Sequence, residues 1–194
     1  MNKIIETIYK RRSTRSYLTA QLEEAHLEDI LLAGRHAPSG GNNQTSHFLV
    51  IQNKETLEAL KALVLAEFAK MEVTEGMYKS LASSIAQSKS GKYDFSFAAP
   101  TLIVVANKKE YGNAMADSAV AIENMMIAAA SLQVGSCWIN QLHWLSENPA
   151  VRSFLEELGL AADEAVCGSV ALGYPAKEIP APLPRKGNRV TYIR

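Results

Sequence analysis

Four cations fall within six positions near the start of the chain, Lys10, Arg11, Arg12 and Arg15, with the hydroxyls of Ser13 and Thr14 between them. Guanidinium groups grip phosphate oxygens through paired N–H donors, and a serine hydroxyl with nearby backbone amides can complete the shell, so this run suits a phosphate site. The competing reading is a solvated helix end, since charge runs commonly face water. A second basic group, Arg185, Lys186 and Arg189, follows prolines 175, 180, 182 and 184 near the other end of the chain. Between the two lies Pro38-Ser39-Gly40-Gly41-Asn42-Asn43-Gln44, which joins one rigid residue, two glycines and several short polar groups. Such a loop can bring its backbone close to something flat and polar; on composition alone it is also an ordinary loop.

What is missing narrows the chemistry. There is no G-x-G-x-x-G, no P-loop, no H-E-x-x-H and no G-x-S-x-G. His26, His36, His47 and His143 include no pair at i, i+4, and Cys137 and Cys167 show no metal-ligand spacing. The two cysteines read as buried, reduced thiols of a cytoplasmic protein, ahead of a disulfide or a metal site. Trp138 and Ile139 beside Cys137 point to burial, which disfavours a nucleophilic thiolate. The 20 basic and 20 acidic side chains cancel, so nucleic acid is not the expected partner. The N-terminal stretch lacks the apolar core of a secretion signal. Residues Asn124 to Ser146 carry no formal charge, but Asn124, Gln133, Asn140, Gln141 and His143 would be costly in lipid, so no membrane span is expected.

The elements that must position these residues centre on one helix. From Ala114 to Val134 there is no Gly or Pro, and apolar residues cover most faces, the pattern of a helix enclosed by protein, with Gly135 expected to end it. Its polar members Asp117, Ser118, Glu123, Asn124 and Ser131 then need partners, because an unpaired buried polar group costs about 2 to 7 kcal/mol. The second surface against it can be the sheet of its own chain or the same helix of a second copy. Asn2 to Lys10 reads as a short amphipathic helix with Ile4, Ile5 and Ile8 on one face. Thr19 can cap a helix from Gln21 to Gly34 with Leu27, Ile30 and Leu31 inward, and Asn53 a helix to Phe68 with Leu57, Leu60 and Val64. A further helix is expected around Met77 to Ala86. Tyr78, Tyr93, Phe95 and Phe97 are candidate pocket aromatics or core fillers. Asn148-Pro149 starts a helix that stops at Gly159. Strands are expected at His47–Ile51, Thr101–Ala106, Ser136–Asn140, Val166–Leu172 and Val190–Ile193. The reading is a single α+β domain over residues 1–194 with a sheet of four or five strands.

Taken together, four segments resemble the nitroreductase family of FMN-dependent oxidoreductases: Arg11 to Arg15, Pro38 to Gln44, the central helix leading into Gly135-Ser136-Cys137-Trp138-Ile139, and Gly173-Tyr174-Pro175 followed by Arg185-Lys186. The resemblance implies a mostly antiparallel sheet flanked by helices, paired through the long central helices into an intertwined homodimer with FMN at the interface. It implies that Arg11, Arg12 and Ser13, with Arg185 and Lys186, hold the FMN phosphate. Arg15 would stand beside the pyrimidine edge of the flavin, where a fixed positive charge favours reduction. Pro38, Ser39, Gly40, Asn42 and Gln44 match the loop that reaches the flavin from the partner subunit, and Gly135 and Ser136 would lie near the other face or N5. Two departures stand out: Thr45-Ser46 follow where the family often has Pro-Trp, and no Glu-Gly element of the longer members can be located.

The activity implied is a two-step exchange, in which NADPH or NADH reduces FMN and leaves, and a small-molecule acceptor such as a nitroaromatic or quinone takes its place. No general acid or base is assigned. A flavin store or redox sensor without efficient turnover would use the same residues. A phosphate- or nucleic-acid-binding module is disfavoured by the zero net charge and by the lack of aromatics between Arg11 and Arg15.

Overall fold

A computed structural model describes residues Met1–Arg194. Four strands, β1 (His47–Ile51), β2 (Thr101–Lys108), β3 (Gly135–Ile139) and β4 (Glu164–Gly173), form one sheet in the order β1-β2-β4-β3 with every neighbouring pair antiparallel. The two central strands are buried on both faces, which is why their sequences read as continuous apolar runs rather than as alternation. Side chains still sort by parity: Leu102, Val104 and Ala106 of β2 enter one core cluster, and Ile103 and Val105 the other.

Helices cover each face. On the first lie α3 (Lys54–Ala69), α4 (Lys79–Lys89), the short α6 (Gln141–Trp144) and α7 (Pro149–Glu157). Leu57, Leu60, Val64 and Phe68, the stripe expected of α3, are all buried, each contributing about 1.5–3 kcal/mol. Asn53 caps α3 by accepting from Thr56 N at 2.8 Å, and Asn148 caps α7 in the same way. On the other face lie α2 (Glu24–Arg35) and the central helix α5 (Ala114–Ser131). The remaining helix, α1 (Lys3–Lys10), buries no residue at all, so Ile4, Ile5 and Ile8 stand exposed along its apolar face.

Several boundaries differ from those expected. Thr19 caps nothing and α2 starts only at Glu24, because Gln21 is spent on a tether: its Nε2 donates to Gln52 O at 3.1 Å and to Pro100 O at 2.8 Å. Helix α4 runs later than Met77–Ala86, ending where Gly91 turns the chain at φ +74°. Helix α5 ends at Ser131 rather than Val134, with Gln133, not a glycine, taking the left-handed turn at φ +59°. Gly135 instead opens β3, and α6 was not foreseen. After β4 the chain has no further helix or strand, so Val190–Ile193 is not a strand: it finds no pairing edge in its own chain, and Val190, Tyr192 and Ile193 are exposed. No helix is long and apolar enough to cross a membrane.

The polar members of α5 find partners, although of these only Asp117 and Ser118 are buried. Ser118 meets Asn107, Asn124 donates to Ala33 O at 3.1 Å, Ser131 donates to Ala128 O, and Glu123 lies 3.7 Å from Arg11. Not all of the helix is enclosed: Val120 is 40% exposed and Met115 45%.

Candidate functional site

The segment from Arg11 to Leu18 is threaded between two parts of the sheet. Thr14 N donates to Ser136 O at 2.9 Å, Tyr17 OH donates to Thr14 O at 2.7 Å, and Leu18 N donates to Tyr174 O at 2.9 Å. This path requires Gly135: a Cβ there would sit 2.7 Å from Thr14 Oγ1, inside the closest approach real side chains show. The start of β3 and the end of β4 therefore hold the cationic run in place, and Arg11 closes α1 with its backbone N–H on Thr7 O.

The two distant basic groups meet. A cleft of about 620 Å³ opens between α1, the end of α5 and Ile179–Pro182, lined by Lys10, Arg11, Arg12, Gly135 and Ser136. Arg12 also lines an adjoining cleft of about 280 Å³ together with Arg185. Arg12, Arg15, Arg185 and Lys186 form no ion pair with any carboxylate. Arg12 donates through one terminal nitrogen to Arg11 O, and its Nε is buried with no partner; Ser136 Oγ is likewise buried and unpartnered. Unspent guanidinium donors beside an orphaned hydroxyl are the donor set a phosphate ester needs. Ser13 is exposed next to them, while Lys186 lines neither cleft.

Arg15 shares a cleft of about 280 Å³ with Arg12 and Ser13, and it also lines another of about 420 Å³ with Cys137, Trp138, Asn140, Gln141 and Phe97. Tyr78 and Trp144 stand edge to face across its wall, ring centroids 6.0 Å apart. Its floor is tied by Tyr93, whose hydroxyl lies 2.9 Å from Ser84 Oγ and 2.6 Å from Gln141 Nε2. Of the four aromatics named from sequence, Tyr78, Tyr93 and Phe97 line this cleft and Phe95 fills the core. Burial pushes the Cys137 thiol up, with Arg15, Ser13 and Arg11 opposing, so the group is a neutral thiol and not a nucleophile. Both cysteines are free, and no group of three His, Cys, Asp or Glu side chains could hold a metal ion.

The loop Pro38–Gln44 stands apart. Its cleft, about 200 Å³, is lined by Pro38, Ser39, Gln44 and Asp117 and shares no residue with the four clefts of the arginine segment. The loop is anchored to α5: Gly40 N donates to both carboxylate oxygens of Asp117, at 3.2 and 3.1 Å, and Tyr111 OH donates to Asp117 Oδ2 at 2.8 Å. Ser39 Oγ accepts from Gln44 N at 3.1 Å and closes the turn. Gly41, Asn42 and Gln44 have φ of +60°, +56° and +51°, so the loop is held in a backbone shape that side chains resist. Asn42 and Gln44 are exposed, and Gln44 lines its cleft together with Arg35. Asp117 and Tyr111 are the site residues that sequence reasoning did not assign; the one available signal was the carboxylate at position 117 in an otherwise apolar helix.

An antiparallel four-stranded sheet with helices on both faces, and arginines free of carboxylates at one end, defines an α+β protein with a cationic cleft. The chain belongs to the nitroreductase family, a family of oxidoreductases: the family model described as Nitroreductase family matches residues 8–174. It is similar to a nitroreductase with bound FMN from Bacteroides fragilis, at 37% identity and TM-score 0.90 with 100% of each chain covered. A nitroreductase with bound FMN from Desulfitobacterium hafniense is 27% identical, TM-score 0.86, again with 100% of each chain covered. A protein named as a candidate NADH dehydrogenase/NAD(P)H nitroreductase from Archaeoglobus fulgidus is 30% identical over 92% of this chain and 88% of that protein.

Proposed function

We propose that this single-domain chain is an FMN-dependent oxidoreductase that carries hydride from NADPH or NADH to a nitroaromatic, quinone or related acceptor. The observation that carries the reading is the meeting of Arg12 and Arg185, from opposite ends of the chain and both free of carboxylates, in a cleft that adjoins, through Arg12, the one lined by the unpartnered Ser136 hydroxyl. FMN supplies a ring that accepts hydride from one bound molecule and delivers it to the next, so donor and acceptor use the same face in turn.

The chain's own residues bind and orient. Arg11, Arg12 and Ser13, with Arg185, would grip the phosphate, and Lys186, which lines neither cleft, would add its charge from the same end of the chain; Gly135 and Ser136 would bring backbone and a hydroxyl against the ligand. Arg15 would set a positive charge at the pyrimidine edge, in a cleft lined also by aromatic, amide and serine side chains and by Lys79. Pro38, Ser39, Gly40, Asn42 and Gln44 face the flavin of a partner subunit. That assignment is supported by the loop's separation from the clefts of Arg11, Arg12, Arg15 and Arg185 and by the exposure of Asn42 and Gln44. The homodimer is supported by the surfaces one chain leaves uncovered: the isoleucines of α1, Met115 and Val120 of α5, and the apolar end of the chain.

The test is the visible spectrum of the purified protein with FMN, titrated without oxygen with NADPH and then with a nitrobenzoate. The account expects the flavin band to bleach and then return, with turnover well above that of free FMN. A protein that remains colourless after incubation with FMN contradicts it, and one that binds FMN but turns over like free flavin is a store.

A further inference from the structure

Between α4 and β2 the chain makes a turn, Tyr93 to Ala99, whose backbone is strained. Phe97 and Ala98 have φ of +57° and +56°, a region that a residue with a Cβ resists, and the two lie in succession. One carboxylate over-determines the shape. Asp94 Oδ1 accepts from Ser96 N and Ser96 Oγ, each at 2.8 Å, and Asp94 Oδ2 accepts from Ala98 N at 2.8 Å. Lys61 lies 3.4 Å from that second oxygen, and the base of the turn is fixed by the buried Phe95 and Ser96. Strain held in this way calls for an account of what it delivers.

What it delivers is the ring of Phe97. The Arg15 guanidinium carbon lies 5.8 Å from the ring centroid, and both residues line the same cleft. No carboxylate comes within 4.0 Å of Arg15. The aromatic face is its one specific partner. A carboxylate would fix the guanidinium at the expense of its donors and its charge. A ring face fixes it and leaves all five N–H donors and the full charge for a ligand.

We propose that Phe97 is a positioning residue for Arg15, held by the Asp94 turn so that the guanidinium meets the ligand of this cleft in one orientation with its charge unspent. The functional half of this rests on the FMN reading above. On two-electron reduction the flavin takes two electrons and one proton, a hydride equivalent from the nicotinamide, and ends one unit more negative. A cation held at its pyrimidine edge favours that charge, and a cation free to swing away favours it less.

The experiment compares wild type with Phe97→Leu, which keeps apolar volume without an aromatic face, and Phe97→Tyr, which keeps the face. In flavin-free protein, ¹⁵N relaxation at Arg15 Nε should show restricted motion in wild type and in Phe97→Tyr, and free motion in Phe97→Leu. In protein loaded with FMN, the preference for reduced over oxidised FMN should fall about threefold in Phe97→Leu, a shift of about 14 mV in midpoint potential at about 30 mV per tenfold for two electrons. Phe97→Tyr should match wild type in both measurements. Equal Arg15 motion in all three proteins, or freed motion with an unmoved potential, overturns the proposal. Should wild type bind no FMN, the cofactor reading fails by itself, and the relaxation comparison still decides whether Phe97 holds Arg15.

Discussion

Tyr17 shows how one side chain joins the scaffold to the site. Its hydroxyl donates to Thr14 O at 2.7 Å, fixing the middle of the cationic segment, and lies 3.3 Å from Ala171 O of β4. Burial, aided by nearby Cys137 and opposed by Arg15, raises its ionisation far above the ordinary 10.0. The folded state therefore holds this proton more tightly than the unfolded chain does. That contribution to stability is whole below about pH 10 and is lost as pH rises beyond it. Cys137 and Cys167 act in the same direction from their ordinary 9.0, again chiefly through burial. Urea unfolding midpoints should thus be flat through neutrality and decline above about pH 9. Tyr17→Phe should cost about 1 kcal/mol at pH 7 through the lost hydrogen bond, yet show a shallower decline above pH 10. An unchanged alkaline slope in the variant would remove Tyr17 from the account. At this scale the sequence was informative about need rather than partner. A carboxylate at 117 and an amide at 124 in an apolar helix had to be satisfied, but Gly40 and Ala33, which satisfy them, come from segments far away in the chain.

Among elements, periodicity read well where burial alone shaped the sequence, as in α3, whose four spaced apolar residues are all buried. It read poorly where a side chain was committed to a distant partner. Gln21 has the propensity to enter α2 but tethers two backbone carbonyls instead, and Gln133 takes a turn usually left to glycine, leaving Gly135 for the approach of Thr14. The loop from Pro38 was recognisable as a loop; its attachment was not, because the anchor is a pair of side chains, Tyr111 and Asp117, more than 70 positions later. Asp117→Ala should leave the Gly40 N–H unpaired, at a cost of about 1–3 kcal/mol, while the Tyr111 hydroxyl keeps Gly40 O at 3.0 Å. Hydrogen exchange at the Gly40 amide should speed up, with amides of β2 and β4 unaffected. Unaltered exchange at Gly40 would show that the loop's strained backbone holds itself.

For the whole molecule, the order of strands and the two core layers follow from a sheet buried on both faces. The surfaces a single chain leaves uncovered are where a second copy would sit. A helix α1 with no buried residue, an exposed Val120 on the central helix and an apolar chain end with no strand to join are the same observation made three times. A second copy seated on them would explain why the sequence reads α5 as enclosed and Val190–Ile193 as strand-like. Sedimentation of the wild type should therefore give a dimer. Val120→Arg should shift it toward monomer and weaken FMN binding at least tenfold, since the partner's loop is lost; a monomeric wild type that holds FMN tightly would refute this.

The central claim is that the two ends of the chain meet on one phosphate, and it is tested most directly by comparing FMN with riboflavin, which lacks only that group. Fluorescence titration of flavin-free protein should give FMN an advantage of about 100-fold, the equivalent of roughly 3 kcal/mol from two charge-assisted contacts. Arg12→Ala and Arg185→Ala should each erase about tenfold of it while leaving riboflavin binding alone. Equal affinity for the two flavins, or an FMN advantage indifferent to both substitutions, would contradict the account.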